Sequence, residues 1–270
     1  MSSANHTEPR AGCTVDAGGR ITFGLRPTSV PRPQLLLRLR PKKGQPEEVT
    51  HLLDVEAGDD GRLIAVLPAG LTLCEGRWDA YVLQEPDGQR VRIRPGARDL
   101  RALVDGSSRD RSSPIAVRVP YVTKDGYLAV RSWLRTVHAE VERIQAADHS
   151  MTVTARLHGR SLRRGAAVRL RLRGTSTART LEPEVEDDRR GFSFTVGSSE
   201  PVDVGRDSGV WDVFVQAEEN APLARIGRLL DDVADRKEIF VYPSITLGAT
   251  QVRPYYTVDN DLSLEVARQN

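Results

Sequence analysis

Arginine side chains at alternate positions of short apolar runs are the residues best suited to chemistry in this 270-residue sequence. A guanidinium group forms paired hydrogen bonds to carboxylates and phosphates, so arginines on one sheet face would form a basic stripe for phosphate or a polyanionic polymer. The alternative is an ordinary solvated face, on which acidic side chains of neighbouring strands pair with the arginines. The candidate binding residues are Arg38, Arg40, Arg92 and Arg94 in the first half of the chain and Arg169, Arg171, Arg173 and Arg225 in the second half.

Catalytic motifs are missing from the sequence. It has no glycine-rich phosphate loop, no Gly-x-Ser-x-Gly elbow, no His-Glu-x-x-His pair and no Cys-x-x-Cys pair. We therefore predict no catalytic residues, no metal site and no cofactor, and we expect that the chain is not an enzyme. An enzyme with an unfamiliar site is the alternative.

The histidines and cysteines have the chemistry of metal ligands but not the spacing. The five histidines are scattered, and His138, His149 and His158 lie near the middle of the chain, where they could meet. Cys13 and Cys74 are too few for a disulfide scaffold. We expect two inert thiols, with a single bridge between them as the alternative.

The charge of the chain is nearly balanced, at +2, although almost all of the positive charge is arginine. The arginine excess reflects either anion-binding chemistry or the codon bias of a GC-rich genome. The balanced charge disfavours nucleic acid as a partner. No stretch approaches the roughly 18 apolar residues of a membrane span, and the polar N-terminus does not resemble a signal peptide. We expect a cytoplasmic protein without a membrane span.

An internal repeat organises the chain. Four segments recur in the same order at offsets of 133 or 134 residues, which predicts two homologous units, 1–136 and 137–270. The matches are 37–40 with 170–173, 76–82 with 209–215, 92–93 with 225–226, and 120–125 with 254–259.

Alternation with a period of two residues is typical of strands that are half buried against a second layer. In Val168-Arg169-Leu170-Arg171-Leu172-Arg173, it sends the apolar residues to one face and the guanidinium groups to the other. Turn sequences separate such runs at 58–61, 86–88, 124–126 and 187–191. The pattern predicts an all-β fold with two tandem immunoglobulin-like antiparallel β-sandwich domains. A β-trefoil or a barrel is the structural alternative.

Two further predictions concern local structure. The apolar spacing in 100–104 and 226–233 fits short helical turns. Trp78 and Trp211 each begin an alternating run, which favours a buried core position over an exposed platform for sugar rings.

An acidic triplet near the end of the chain is similar to an Asp-x-Asp metal motif. However, Asp259-Asn260-Asp261 corresponds through the repeat to Asp125-Gly126-Tyr127. A hairpin turn explains both segments, whereas metal binding would explain only one.

The closing segment Pro254-Tyr255-Tyr256-Thr257-Val258-Asp259-Asn260-Asp261-Leu262-Ser263-Leu264, preceded by Gly209-Val210-Trp211-Asp212-Val213-Phe214, resembles a known family. It is similar to C-terminal β-sandwich accessory modules of actinobacterial glycosyltransferases and of teichoic-acid-type glycerophosphotransferases. In that family the closing strand often reads Pro-Tyr-x-Thr-x-x-Gly-Asn-Leu-Ser, from which this chain departs at 259–261 and at 125–129. The resemblance covers both units without a catalytic domain. It implies oligomerisation, or the holding of an enzyme or its polymer, and carries over no active-site residue.

These observations predict a non-catalytic interaction protein that binds a protein partner or associates with itself. It would act in trans with a glycan- or envelope-polymer-modifying enzyme. The alternative is a binding module for carbohydrate or an anionic polymer that uses the strand arginines.

Overall fold

A computed structural model describes residues 8–26, 33–41, 44, 49–58, 61–83, 89–105, 111–197 and 208–268. Strands hold 58% of the residues and helix only 2%, which confirms the predicted all-β class with its antiparallel sheets. The finer assignment to two immunoglobulin-like domains stays a prediction. Within the described ranges, no helix has the length and apolar character needed to cross a membrane.

The chain divides into two compact units. Unit 1 comprises 1–109, 116–134 and 230–234, and unit 2 comprises 110–115, 135–229 and 235–270. The elements of unit 1 are β1 (Arg10–Val15), β2 (Ile21–Leu25), β3 (Gln34–Leu39), β4 (Thr50–Leu53), β5 (Val55–Ala57), β6 (Leu63–Leu67), β7 (Gly76–Leu83), β8 (Arg90–Arg92), β9 (Arg94–Asp99), α1 (Arg101–Asp105), β10 (Ile115–Val122) and β11 (Leu128–Arg135).

Two sheets make up unit 1. One has the strand order β5-β6-β2-β1-β9, and the other has the order β10-β11-β7-β3-β4 with β8 paired to β7. The pairing of β1 with β9 is parallel, whereas β1 and β2 are antiparallel. Side chains alternate between buried and half-buried along β2, as the period of two requires.

Unit 2 contains the strands that follow. They are β12 (His138–Ala147), β13 (Ser150–His158), β14 (Ala167–Leu172), β15 (Ala178–Leu181), β16 (Glu184–Val185), β17 (Gly191–Gly197), β18 (Gly209–Gln216), β19 (Leu223–Gly227), β20 (Ile245–Leu247), β21 (Thr250–Tyr256) and β22 (Leu262–Arg268).

The strands of unit 2 follow the plan of unit 1. The order β16-β17-β13-β12-β19 matches β5-β6-β2-β1-β9, and the parallel pair of β12 with β19 takes the place of β1 with β9. Likewise, β22-β18-β14-β15 matches β11-β7-β3-β4. Residues at matching register positions of these strands can therefore be compared between the two units.

Both tryptophans of the repeat lie in the core, with no exposed surface. The indole nitrogen of Trp78 donates to the backbone carbonyl of Cys74 at 3.0 Å, so burial leaves this polar group satisfied. Trp211 belongs to a cluster with Phe192, Phe194 and Tyr256 that fills the centre of unit 2. The core position predicted for both rings is confirmed.

The local predictions have mixed outcomes. A short helix does occupy Arg101–Asp105. The helical turn predicted for 226–233 is wrong, because Ile226 and Gly227 end β19 and pair in parallel with β12. Turns at 124–126 and 187–191 are confirmed. Residues 59–60 and 86–88, where two other turns were predicted, lie outside the described residues.

Candidate functional site

Four of the candidate arginines gather around two aspartates, one in each unit. In unit 2, Arg173 donates two hydrogen bonds to Asp212, at 2.5 and 3.3 Å, and Arg225 lies 3.3 Å from the same carboxylate. The Ser263 hydroxyl donates to Asp212 at 2.9 Å. Because β14 and β18 are antiparallel neighbours, the outward side chains of Arg173 and Asp212 emerge close together.

The carboxylate of Asp212 is charged despite its environment. Its side chain is only 12% exposed. Burial acts to raise its pKa, but hydrogen bonds from Arg173 and Ser263 and the charge of Arg225 prevail and lower the pKa. The ionised Asp212 thus neutralises one of the two guanidinium groups that it contacts.

The corresponding residues of unit 1 form the same arrangement. Arg40 donates two hydrogen bonds to Asp79, at 2.9 and 2.7 Å, and Arg92 donates one at 3.2 Å. The registers of β3 with β7 and of β14 with β18 make Asp79 the counterpart of Asp212. We call the two sets the arginine–aspartate clusters: Arg40, Asp79 and Arg92 in unit 1, and Arg173, Asp212 and Arg225 in unit 2.

The remaining candidate arginines are held elsewhere. Arg38 donates to the Tyr81 hydroxyl at 3.4 Å, and its counterpart Arg171 lies over the Phe214 ring. The sequence comparison aligned the eight arginines as two sets of four, but Arg94 and Arg169 have no arginine counterpart. By the registers and the repeat offset, Gly227 corresponds to Arg94 and Leu36 corresponds to Arg169. Arg94 pairs with Glu8 at 2.7 Å, and Arg169 hydrogen-bonds to Gln216 and Thr180.

The hairpin turn beside each cluster differs between the units. In unit 1, the guanidinium groups of Arg92 and Arg94 both lie over the Tyr127 ring, each 4.1 Å from its centroid. In unit 2 its place is taken by Asp261, which accepts a hydrogen bond from Arg135 at 2.7 Å and lies 3.8 Å from Arg225. Burial raises the pKa of Asp261 in spite of these arginines. Thr257 to Asp261 form a turn, as predicted for the Asp259-Asn260-Asp261 triplet.

Two of the central histidines are buried together. His138 and His158 pair across β12 and β13, and His138 hydrogen-bonds to Glu140 at 2.8 Å. Glu140 also accepts the backbone N–H of Leu229 at 2.7 Å. His149 lies at the other end of this hairpin. Among the residues that the structure describes, no three His, Cys, Asp or Glu side chains are grouped to hold a metal.

Both cysteines are free thiols. Cys13 is buried, and desolvation raises its pKa to about 12, so its reactive thiolate form is suppressed. Cys74 is exposed. The alternative of a disulfide bridge between Cys13 and Cys74 is therefore wrong.

A cleft of about 290 Å³ beside β21 in unit 2 is a feature that sequence reasoning missed. We call it the aromatic cleft. It is lined by Lys237, Phe240, Val241, Tyr242, Arg253, Pro254, Tyr255 and Glu265.

The chain segment that forms one wall of the cleft is also unusually apolar on its outside. Phe240 and Tyr242 face inward and contact the buried Tyr256 ring, each at a centroid distance of 6.2 Å. Ile239, before Phe240, and Val241, between Phe240 and Tyr242, are 66% and 75% exposed. We call these two residues the apolar strip. They are the most exposed of the large apolar side chains that the structure describes.

Comparison with known proteins finds similarity in structure at low sequence identity. No family model matches the chain, and no curated protein matches it. The crystal structure of S. aureus TarS resembles it with a TM-score of 0.40 and 15% identity, over 63% of this chain and 32% of that chain. A crystal structure of S. aureus TarS 217–571 gives a TM-score of 0.39 and 14% identity, over 71% and 44% respectively. The chain spans less than half the length of either structure.

Proposed function

We propose that this chain is a non-catalytic interaction protein that assembles protein chains, in the first place copies of itself, through the apolar strip of unit 2. The observation that supports the proposal is the exposure of Ile239 and Val241 on a segment that is otherwise fixed. Because Phe240 and Tyr242 pack against the core, the strip is held in one conformation before a partner arrives. Preorganisation of this kind reduces the entropy cost of association.

The resemblance of the closing segment extends the proposal to a second kind of partner. It implies an enzyme that modifies a glycan or an envelope polymer, which the assembled chain would hold in trans. The cytoplasmic location expected from the sequence stays a prediction.

Light scattering coupled to size exclusion tests the assembly over a wide range of protein concentration. We expect the mass of the wild-type chain to exceed the 29.8 kDa of one copy. The double variant Ile239→Ser/Val241→Ser is expected to run as a single copy with an unchanged melting temperature. Leu52→Ser is the matched control, because Leu52 is also exposed but lies in unit 1.

A wild-type chain that stays monomeric at every concentration, and that captures no protein when immobilised, would contradict the proposal. So would equal loss of assembly in the Leu52→Ser control. In that case the apolar strip would not be the surface responsible.

An anionic-polymer binding module is the second candidate. The observation that favours it is the exposure of one arginine in each arginine–aspartate cluster, 37% for the Arg40 side chain and 49% for Arg173. A guanidinium group forms paired hydrogen bonds to phosphate, so each cluster by itself offers a contact for a phosphate of the polymer.

Retention of the chain on an immobilised glycerol-phosphate polymer tests this second candidate. We expect Arg40→Gln/Arg173→Gln to be eluted at a clearly lower salt concentration than the wild type. Arg163→Gln is the control, because Arg163 is a more exposed arginine paired with Glu218 outside the clusters. Unchanged retention of the double variant would exclude the clusters as the binding site.

A further inference from the structure

The aromatic cleft of unit 2 has a wall that is fixed from behind. The Phe240 ring packs edge-on against Tyr256, and the buried guanidinium of Arg236 lies 4.9 Å from the Phe240 centroid. Arg236 is itself anchored, because its Nε donates to the carbonyl of Arg228 at 2.8 Å and its backbone N–H donates to Asn260 at 3.1 Å. The aromatic wall therefore keeps its shape without a ligand.

Opposite charges stand side by side at the same cleft. Arg253 and Glu265 are directly paired across β21 and β22, and the Arg253 Nε donates to the Glu265 carboxylate at 3.1 Å. Both side chains remain about half exposed, at 47% and 48%. The guanidinium group donates hydrogen bonds and the carboxylate accepts them. A hydroxyl group does both, so two neighbouring hydroxyls of one ligand can pair with Arg253 and Glu265.

The charged side chains that line the cleft carry a net positive charge. Lys237 and Arg253 contribute two positive charges and Glu265 contributes one negative charge. At the other end of the lining, the Tyr255 side chain interacts with Arg173, which belongs to the arginine–aspartate cluster. The net positive charge of the cleft attracts anionic groups and repels cationic groups.

We propose that the aromatic cleft binds one hexopyranose ring that carries an anionic substituent. The C–H faces of such a ring pack on Phe240, Tyr242 and Tyr255, as apolar surfaces do on aromatic rings. Its hydroxyls pair with Arg253 and Glu265, and its anionic group lies toward Lys237. The volume of about 290 Å³ is at the lower end for ligand sites, which fits a single ring rather than an extended chain.

Unit 1 does not repeat this site. At the offset of 134 residues, Val119 takes the place of Arg253, and Arg131 takes the place of Glu265. Tyr121 keeps the position of Tyr255, but without the charged pair that would bind hydroxyl groups. The proposed site therefore belongs to unit 2, where it shares Val241 with the apolar strip.

Isothermal titration of the full chain with four probes tests the proposal: glucose 1-phosphate, glucuronic acid, glucose and inorganic phosphate. We expect glucose 1-phosphate or glucuronic acid to bind more tightly than glucose and inorganic phosphate. The variant Arg253→Gln/Glu265→Gln is expected to weaken this binding by about 10- to 100-fold, because hydrogen bonds to charged groups are lost.

A second exposed ion pair of unit 2 supplies the matched control. Arg163→Gln/Glu218→Gln removes a pair whose side chains are 70% and 35% exposed. It is expected to leave binding unchanged. The melting temperatures of both variants show whether each still folds. Mass measurement on the same samples separates this site from the proposed assembly, which the Arg253→Gln/Glu265→Gln variant should retain.

Three results would overturn the proposal. The first is binding of inorganic phosphate as tightly as the sugar phosphate, which would indicate a simple anion site. The second is an equal loss of binding in the control variant. The third is absence of measurable binding for both anionic sugars in a wild-type chain that unfolds cooperatively on heating.

Discussion

The two arginine–aspartate clusters share their geometry but differ in their surroundings. In unit 1, Arg92 and Arg94 both lie over the Tyr127 ring, and each also contacts a carboxylate, Asp125 for Arg92 and Glu8 for Arg94. In unit 2, Asp261 replaces this ring and links Arg225 to Arg135. The same frame therefore adds an aromatic contact in unit 1 and a further carboxylate in unit 2.

This difference separates scaffold from specific surface. The tryptophans, the central aspartates and the hairpin turns occur in both units and fix the positions of the strands. The aromatic cleft and the apolar strip lie in unit 2, where the segment 237–242 packs beside β21. The repeated residues belong to the scaffold of each unit, whereas these two features are built from residues particular to unit 2.

The largest expected effect is that of removing a repeated tryptophan. Trp78→Ala and Trp211→Ala should each lower the free energy of unfolding of their own unit by about 3–5 kcal/mol, because each leaves a large cavity in a fully buried core. Urea unfolding followed by circular dichroism measures the loss. A loss of stability in only one of the two variants would contradict the structural equivalence of Trp78 and Trp211. Val258→Ala, at an exposed turn position, is the control.

A smaller effect is expected at the central aspartates. Asp79→Asn and Asp212→Asn each replace a charged acceptor of two arginines by a neutral one. We expect each to lower the free energy of unfolding by about 1.5–3 kcal/mol, the range for hydrogen bonds to charged groups. The same urea titration applies. A higher free energy of unfolding in either variant would contradict a stabilising role of the aspartate between its two arginines.

The smallest effect concerns acid stability of unit 2. Backbone N–H groups of Gly191 and Arg190, together with Arg156, lower the pKa of Asp188 from 3.8 to about 2. Ionised Asp188 therefore stabilises the fold above its ordinary pKa, and this contribution is lost as the pH falls through about 2. Asp188→Asn should give a flatter dependence of melting temperature on pH in this acid range. The neighbouring Asp187→Asn is the control, and an identical curve for both variants would refute the assignment.

Much of the scaffold could be predicted because its signals are local. Alternation along 168–173 was enough to predict β14 with its outward arginines, since the side chains of a strand alternate between its faces. The sequence also allowed acidic cross-strand partners as an alternative. Asp79 and Asp212 fill that role, and their common offset of 133 residues was the signal that could have identified them.

The aromatic cleft and the apolar strip depend on contacts between distant segments and were therefore not predictable. Phe240 and Tyr242 lie in an irregular segment, and their orientation is set by Tyr256, which is close in space but not in sequence. The wrong helix at 226–233 has a similar cause. The apolar spacing fits a helix, but pairing of Ile226 with β12 and the bond from Leu229 to buried Glu140 hold the backbone extended.

Amide hydrogen exchange of the wild-type chain, compared at low and high protein concentration, tests assembly through the apolar strip. We expect slower exchange at high concentration for the amides of 239–242, with no change for β10 and β11 of unit 1. Exchange that is independent of concentration throughout the chain, or protection confined to unit 1, would contradict assembly through the apolar strip.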